Sequence, residues 1–266
     1  MVSLHRAIMA VTHLWEGQEL PLNTRTKKEN NRSSSMIFLQ VVFLPLLPLA
    51  PAAAILVWAL GLNPSERLTR GILYGCLFLA CLVVGHWKFS LTGTGLASKN
   101  MGRGSLYAGI ILIAGWAFIL GLQPPEGLAE ISFAIWAPVL FYLAVALAEE
   151  TWFRGLIFKA LYDWRGALPA VFGSAILFGL VHVPMRGWEG LFFALSIGLP
   201  YAVVRLKTDN IWGLIVIHWL NNLTDSFIRL STTTVNIAWL ALLHILVFST
   251  VSILILLLDK RLHSEE

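Results

Sequence analysis

The feature that most constrains this chain is a series of eight long apolar runs separated by short polar loops. The runs cover residues 36–62, 71–87, 106–122, 131 to about 158, 167–183, 191–204, 211–228 and 237–258. Each approaches the roughly 20 residues that an α-helix needs to cross a bilayer. Only 13% of the residues are charged, against about a quarter in soluble domains. The sequence predicts an all-α, polytopic membrane bundle of about eight transmembrane helices, with an active-site cavity inside it.

The basic residues indicate how the bundle is oriented. With the N-terminus in the cytoplasm, 15 of the 19 lysines and arginines fall on the cytoplasmic side, and the opposite side keeps Arg67, Arg70, Arg186 and Arg229. Lys and Arg are enriched in cytoplasmic loops. We therefore expect an integral protein of a bacterial inner membrane with both termini cytoplasmic. The net charge of +4 comes from basic residues that are concentrated in the predicted cytoplasmic segments. No nucleic-acid partner is therefore predicted.

This topology implies a simple domain organisation. Residues 1–35 are a polar, basic cytoplasmic segment, residues 36–258 form one transmembrane domain, and residues 259–266 are a short cytoplasmic tail. The sequence shows no internal repeat and no soluble catalytic domain. Any chemistry therefore belongs to the helical bundle, and the lipid bilayer is its immediate partner.

The candidate catalytic residues begin with Glu149 and Glu150, which follow an uncharged run. Ionisable residues at membrane depth are costly and usually mark function. Arg154 lies four residues after Glu150, on the same helical face, so these two can pair. Glu149 points about 100° away and has no local cation. A simpler interpretation is an interfacial cluster in which Arg154 reaches lipid phosphates.

Three further polar positions follow in the apolar runs. His182 lies near the end of the fifth run, two residues before Pro184. In the seventh run, polar residues at spacings of four, three and four are predicted to share one helical face: His218, Asn222, Asp225 and Arg229. Hydrogen bonding between helices accounts adequately for the last two, but less well for His218 and Asn222. His244 is isolated and is interpreted as structural.

These residue types suit hydrolysis of an amide. A general base must activate water, and donors must stabilise the oxyanion. Glu149 with His182 can supply the first function, and His218 with Asn222 the second. Glu149, His182 and His218 could instead hold a divalent ion such as zinc. We favour the metal-free version, because no His-Glu-x-x-His pair is present, Glu150 has its own arginine, and an amide is a poor zinc ligand.

The ordered set Glu149-Glu150-x-x-x-Arg154, Phe178-x-x-x-His182 and His218-x-x-x-Asn222 resembles the CPBP family of intramembrane proteases. That family is also called the Abi or type II CAAX-protease family, and the resemblance covers about residues 131–229. It implies that Glu149 and His182 activate water, that Glu150 and Arg154 support the site, and that His218 and Asn222 stabilise the oxyanion. Members include prenyl-protein proteases, bacteriocin-immunity proteins and bacterial enzymes that process C-terminal sorting signals.

The predicted activity is that of an endopeptidase acting on a membrane protein or a lipidated or hydrophobic peptide. In a simple up-and-down arrangement, Glu149 and His182 meet only if the fourth helix is long or tilted.

Three other functions use the same residues. A transporter or proton-coupled carrier would show flux without a peptide product, an immunity protein would tolerate Glu149→Gln, and a haem protein would be coloured.

Overall fold

The computed structural model describes residues 29–63, 66–128, 136–231 and 236–264. Residues 1–28 of the predicted N-terminal segment, residues 131–135 of the fourth run, and the last two residues lie outside this range. The α-helices are α1 (Glu29–Phe43), α2 (Leu49–Ala54), α3 (Arg67–Gly93), α4 (Met101–Leu122), α5 (Trp136–Glu150), α6 (Phe158–Arg165), α7 (Ala167–Leu180), α8 (Val183–Thr208), α9 (Trp212–Phe227) and α10 (Ile237–Ser264).

The all-α class is confirmed. In the described part of the chain, five helical stretches are long and apolar enough to cross a membrane: Ser33–Ala59, Arg67–Gly93, Met101–Leu122, Val183–Thr208 and Ile237–Leu262. Helix α7 is apolar but spans only 14 residues. Helix α5 has 15 residues and continues without a loop into a non-α turn. The prediction of about eight spans is therefore not confirmed as a number.

The first span is interrupted where its prolines fall. A 3₁₀ turn at Leu44–Leu46 separates α1 from α2, and a π-helical turn at Ile55–Ala59 ends the span. Proline has no N–H to donate to the helical ladder and clashes with the preceding turn. Such breaks are tolerated in membrane helices when neighbouring groups satisfy the freed backbone.

A second π-helical turn, Thr151–Ile157, joins α5 to α6 directly after the two glutamates. All seven of its residues are buried. Short π-helical segments often occur at functional sites, because the extra residue re-aims the side chains around it. The charged pair thus lies at a local widening of one continuous helical rod, which is the long fourth helix that the sequence analysis required.

One small sheet was not predicted. Strands β1 (Pro125–Leu128) and β2 (Ile228–Leu230) pair antiparallel, with Gly127 opposite Arg229. Arg229 is therefore not on the helical face of His218 and Asn222, which corrects the predicted four-residue stripe. Helix α9 ends at Phe227, and the side chain of Asp225 lies outside the described part.

The core is formed where α8 packs against α7 and α10, while α9 packs against α4 and α5. Close approach is possible at Gly198 in α8. A Cβ there would lie 3.3 Å from the Cα atom of Ala175 and 3.3 Å from Nη2 of Arg154. Glycine at this position brings α8 against both α7 and the buried arginine, so the charged pair is enclosed by helices.

Candidate active site

The predicted polar residues meet at one cavity of about 500 Å³. Glu149 from α5, His182 from the turn before α8, and both His218 and Asn222 from α9 line it. The sequence alone gave no reason for these three segments to be adjacent beyond the resemblance. The cavity is within the range typical of small-ligand sites.

Glu150 and Arg154 form the ion pair that their spacing predicted. Nη1 of Arg154 donates to Oε1 of Glu150 at 3.1 Å, and both side chains are completely buried. Removing one partner of such a pair leaves an uncompensated buried charge, which is strongly destabilising. The burial also corrects the topology count, because Arg154 belongs to the bundle interior rather than to a cytoplasmic loop.

His218 lies between the two carboxylates. Its Nδ1–H donates to Oε1 of Glu150 at 2.7 Å, and its Nε2 lies 3.7 Å from Oε2 of Glu149. The ring is therefore oriented by Glu150 and presents Nε2 toward Glu149. Glu149, which has no cation on its own helix, faces an imidazole from another helix.

Glu149 remains the least constrained member of the cluster. It is 7% exposed, and no described residue forms a hydrogen bond with its Oε2 atom. A carboxylate oxygen that is buried yet lines a cavity is suited to hold a water molecule. The division of labour predicted from the sequence, with one carboxylate paired and one available, agrees with this geometry.

His182 is fixed by the backbone of its own turn. Helix α7 ends at Leu180, earlier than the predicted run, and His182 is the residue that precedes α8. Its Nδ1 lies 2.7 Å from the carbonyl oxygen of Phe178. A carbonyl only accepts, so Nδ1 carries the proton and Nε2 is the basic nitrogen. This tautomer leaves Nε2 available to accept a proton or a hydrogen bond.

Aromatic rings enclose the charged cluster. The guanidinium carbon of Arg154 lies 4.2 Å from the centroid of Phe178 and 5.1 Å from that of Tyr201. Phe178 also packs edge-on against His182 and His218. Cation–π contacts gain strength when the cation is desolvated. Phe178 therefore holds the arginine and both histidines in fixed relative positions, a role that the sequence did not reveal.

Tyr74 and His244 are two of the cavity residues that the sequence did not predict. Tyr74 of α3 lines the cavity, and its hydroxyl interacts with the Glu149 carboxylate. His244 of α10, interpreted as a structural residue without companions, lines the same cavity and is hydrogen-bonded to Ser196. Of these two residues, only Tyr74 has a signal in the sequence: it follows Arg67 and Arg70 at helical spacing.

The three candidate metal ligands, Glu149, His182 and His218, are not clustered in this structure. Among the described residues, no group of three His, Cys, Asp or Glu side chains is close enough to hold a metal ion. The candidate ligands Glu149, His182 and His218 thus share a cavity without forming a coordination sphere.

Comparison with known families relates the segment that carries most of this site to a protease family. Residues 131–224 match the family model described as type II CAAX prenyl endopeptidase Rce1-like. The match contains Glu149, Glu150, Arg154, His182, His218 and Asn222. This segment, about a third of the chain, is similar to that family, which agrees with the resemblance stated from the motifs. No curated protein and no solved structure matches the chain.

Proposed function

We propose that this protein is an intramembrane endopeptidase that hydrolyses a peptide bond near the C-terminus of, or within, a membrane-associated protein or peptide. One observation supports this most strongly. An available carboxylate, Glu149, shares a cavity with the basic Nε2 of His182 and with the amide of Asn222. A base, a second proton-transfer group and an oxyanion donor are the parts that amide hydrolysis needs.

In the proposed reaction, Glu149 accepts a proton from water as the water oxygen bonds to the scissile carbonyl carbon. The carbonyl oxygen becomes an oxyanion, and the side-chain N–H of Asn222 donates to it, assisted by Nε2–H of His218 when that nitrogen carries a proton. His182 orients the attacking water through Nε2. When the C–N bond breaks, the proton held by Glu149 passes to the leaving nitrogen, which departs as an amine.

Glu150 and Arg154 support this reaction without touching the substrate. Glu150 holds Nδ1 of His218, and Arg154 neutralises Glu150. In a water-poor interior, fixed partners of this kind keep reacting groups in place and reduce reorganisation during the reaction. They are positioning residues in this scheme.

The mechanism is metal-free in this proposal, and chelation tests it directly. Purified enzyme treated with EDTA or phenanthroline should keep its activity, because the water is activated by a carboxylate. Activity that is lost on chelation and restored by a stoichiometric divalent ion would contradict the metal-free scheme. Glu149, His182 and His218 would then be reassigned as ligands.

The substrate is proposed to reach the site through the bilayer. Most of the candidate spans present large apolar side chains to their surroundings, including Leu79, Val83 and Ile113, as lipid-facing surfaces do. The proposed location is a bacterial inner membrane with both termini cytoplasmic. Substrates would be membrane proteins or lipidated or hydrophobic peptides.

Comparative peptide profiling tests the proposed activity. Membranes containing the wild-type protein should release peptides that are missing from membranes containing Glu149→Gln, a change that keeps the side-chain shape. Glu189→Gln, at an exposed position, is the matched control and should give the wild-type profile. Identical profiles for wild type and Glu149→Gln, together with Glu149-dependent flux across liposomes, would replace the protease with a carrier.

A further inference from the structure

Three arginines line the same cavity as the candidate catalytic residues. Arg67 and Arg70 come from the start of α3, and Arg186 comes from the first turn of α8. All three side chains are exposed, and none forms an ion pair with a described carboxylate. They are three of the four basic residues that the charge distribution assigns to the non-cytoplasmic side.

The basic residues at the opposite end of the bundle are paired in a different way. Arg205 is 1% exposed and bonds to Asp209 and to the carbonyl oxygens of Arg154 and Gly93. Lys207 lies 3.6 Å from Asp259. The buried basic residues at that end are thus satisfied within the fold, whereas the arginines at the cavity gain no such partner.

Their position carries an electrostatic cost, and the acidic N-cap residue of α3, Glu66, forms no ion pair with either arginine among the described contacts. Arg67 and Arg70 occupy the first turn of α3, which contains no acidic residue. Cations near a helix N-terminus oppose the helix dipole, and like charges three residues apart repel. Cation–π contact of Arg70 with Phe141, at 5.4 Å, occupies only the face of that guanidinium. Its N–H edges remain able to bind an anion.

The arginines lie one helical turn from residues of the candidate active site. Arg67, Arg70 and Tyr74 are three and four residues apart, so they share one face of α3, and Tyr74 interacts with Glu149. Arg186 lies four residues after His182, and Gly187 then breaks the helix with φ of 67°. Arg70 thus lies about one helical turn, roughly 6 Å, from Tyr74, and Arg186 lies about the same distance from His182.

From these contacts we propose that Arg67, Arg70 and Arg186 form a carboxylate-binding subsite for the peptide substrate. The inference rests on the proposed function and adds a specificity to it. An extended peptide covers about 3.3–3.6 Å per residue, so the bound carboxylate lies about two residues from the scissile bond. Its source is either an Asp or Glu side chain or the C-terminal carboxylate of the substrate. Guanidinium groups bind carboxylates with directed, paired hydrogen bonds.

A binding experiment tests the subsite independently of cleavage. The full-length Glu149→Gln protein in neutral phosphatidylcholine nanodiscs is titrated with a labelled hydrophobic peptide in three forms: free C-terminal carboxylate, C-terminal amide, and amide with one internal Asp. At least one carboxylate form should bind about 10-fold or more tightly than the neutral amide, as expected for charge-assisted hydrogen bonds. The form that binds tightly identifies the source of the carboxylate.

Variants then assign the preference to the arginines. Arg70→Gln and Arg186→Gln, added singly, should reduce the 10-fold preference to about 1, and Arg70→Glu should favour a peptide carrying Lys at the same position. Arg229→Gln, which changes the fourth arginine on that side but does not line the cavity, should leave the preference intact. Thermal unfolding confirms that each variant is folded.

Two results would overturn the subsite. Equal affinity for the charged and neutral peptides would show that no carboxylate is recognised. A dependence on Arg70 and Arg186 that is seen only in anionic-lipid nanodiscs would assign these arginines to lipid headgroups. A carboxylate preference in binding without cleavage of any peptide by the wild-type protein would instead retain the subsite and remove the proposed protease activity.

Discussion

The segment that matches the protease family and the helices around it contribute different kinds of side chain to one cavity. The matched segment supplies buried ionisable groups that contact each other, including Glu150, Arg154 and His218. The surrounding helices supply Tyr74 and His244 from the cavity wall and the exposed Arg67 and Arg70 from its rim. In the proposed scheme, the matched segment thus carries the chemistry, whereas recognition is shared between Arg186 of that segment and the arginines of α3 outside it.

This difference has a physical reason. Groups that exchange protons must be held in a water-poor environment with their partners fixed, so they lie on helices packed on several sides. Groups that select a substrate must stay accessible to it, so they lie where packing is incomplete. We therefore expect substitutions of the buried polar residues within 131–224 to affect turnover or folding strongly, and substitutions of the exposed arginines at the cavity to act more weakly and mainly on substrate affinity.

The largest expected effect is on turnover at His182. His182→Ala removes the Nε2 that orients the attacking water and should abolish detectable cleavage, because misplacing a reactant by about 1 Å can already cost about 10²-fold. Cleavage of a fluorogenic peptide by the protein in nanodiscs measures the loss. His86→Ala, in α3 outside the matched segment, is the control. Full activity of His182→Ala would remove this residue from the mechanism.

The second expected effect is on stability, at the buried ion pair. Arg154→Met leaves Glu150 buried without its cation and should lower the free energy of unfolding by about 3–5 kcal/mol. The measurement is denaturant or thermal unfolding in detergent. Arg165→Met, at the exposed end of α6, should change stability by less than about 0.5 kcal/mol.

A double variant isolates the cause of this loss. Adding Glu150→Gln to Arg154→Met removes the uncompensated charge and should recover part of the stability. If the double variant is no more stable than Arg154→Met, the loss comes from the packing of Arg154 against Phe178 and Tyr201 rather than from charge.

The third prediction concerns oxyanion stabilisation within the matched segment. Asn222→Ala should reduce kcat by about 10²–10³-fold with little change in KM, as loss of one oxyanion donor typically does. Asn221→Ala is a closely matched control, since Asn221 also lines the cavity but contacts the hydroxyl of Tyr201. Equal losses for the two variants would argue against a specific role for Asn222.

The smallest expected effect lies outside the matched segment. Tyr74→Phe removes a hydroxyl that interacts with Glu149 and should reduce kcat/KM by roughly 10-fold, the value of one hydrogen bond to a charged group. The pH–rate profile measured from pH 5 to 9 should also shift, because the Tyr74 hydroxyl interacts with the proposed base, Glu149. A 10³-fold loss would place Tyr74 among the catalytic residues and weaken the distinction between the two regions.

Much of the site followed from local spacing. The contact between Glu150 and Arg154, four residues apart, depends only on helix geometry, and the structure has it at 3.1 Å. The hydrogen bond between His218 and Glu150 joins residues 68 positions apart. No periodicity encodes such a contact, and from the sequence His218 was predicted to stabilise the oxyanion or to bind a metal ion, not to contact Glu150.

Contacts between residues distant in sequence also explain two predictions that the structure corrects. The seventh apolar run was predicted to extend to Ile228, but α9 ends at Phe227 and Arg229 pairs with Gly127 in a strand. His244 was interpreted as isolated because Ser196, its partner, lies 48 residues earlier. Pairing partners that are distant in sequence decided both outcomes.

The sequence by itself determined that this chain is a helical membrane protein, where its charged side chains interrupt the apolar runs, and which protease family its central segment resembles. These follow from length, charge and spacing, because lipid requires every backbone group to be satisfied within a helix. Only the tertiary structure decided that His218 lies between the two glutamates and that Tyr74, His244 and three arginines join the same cavity. Those contacts depend on how side chains from distant helices pack together, which no local pattern specifies.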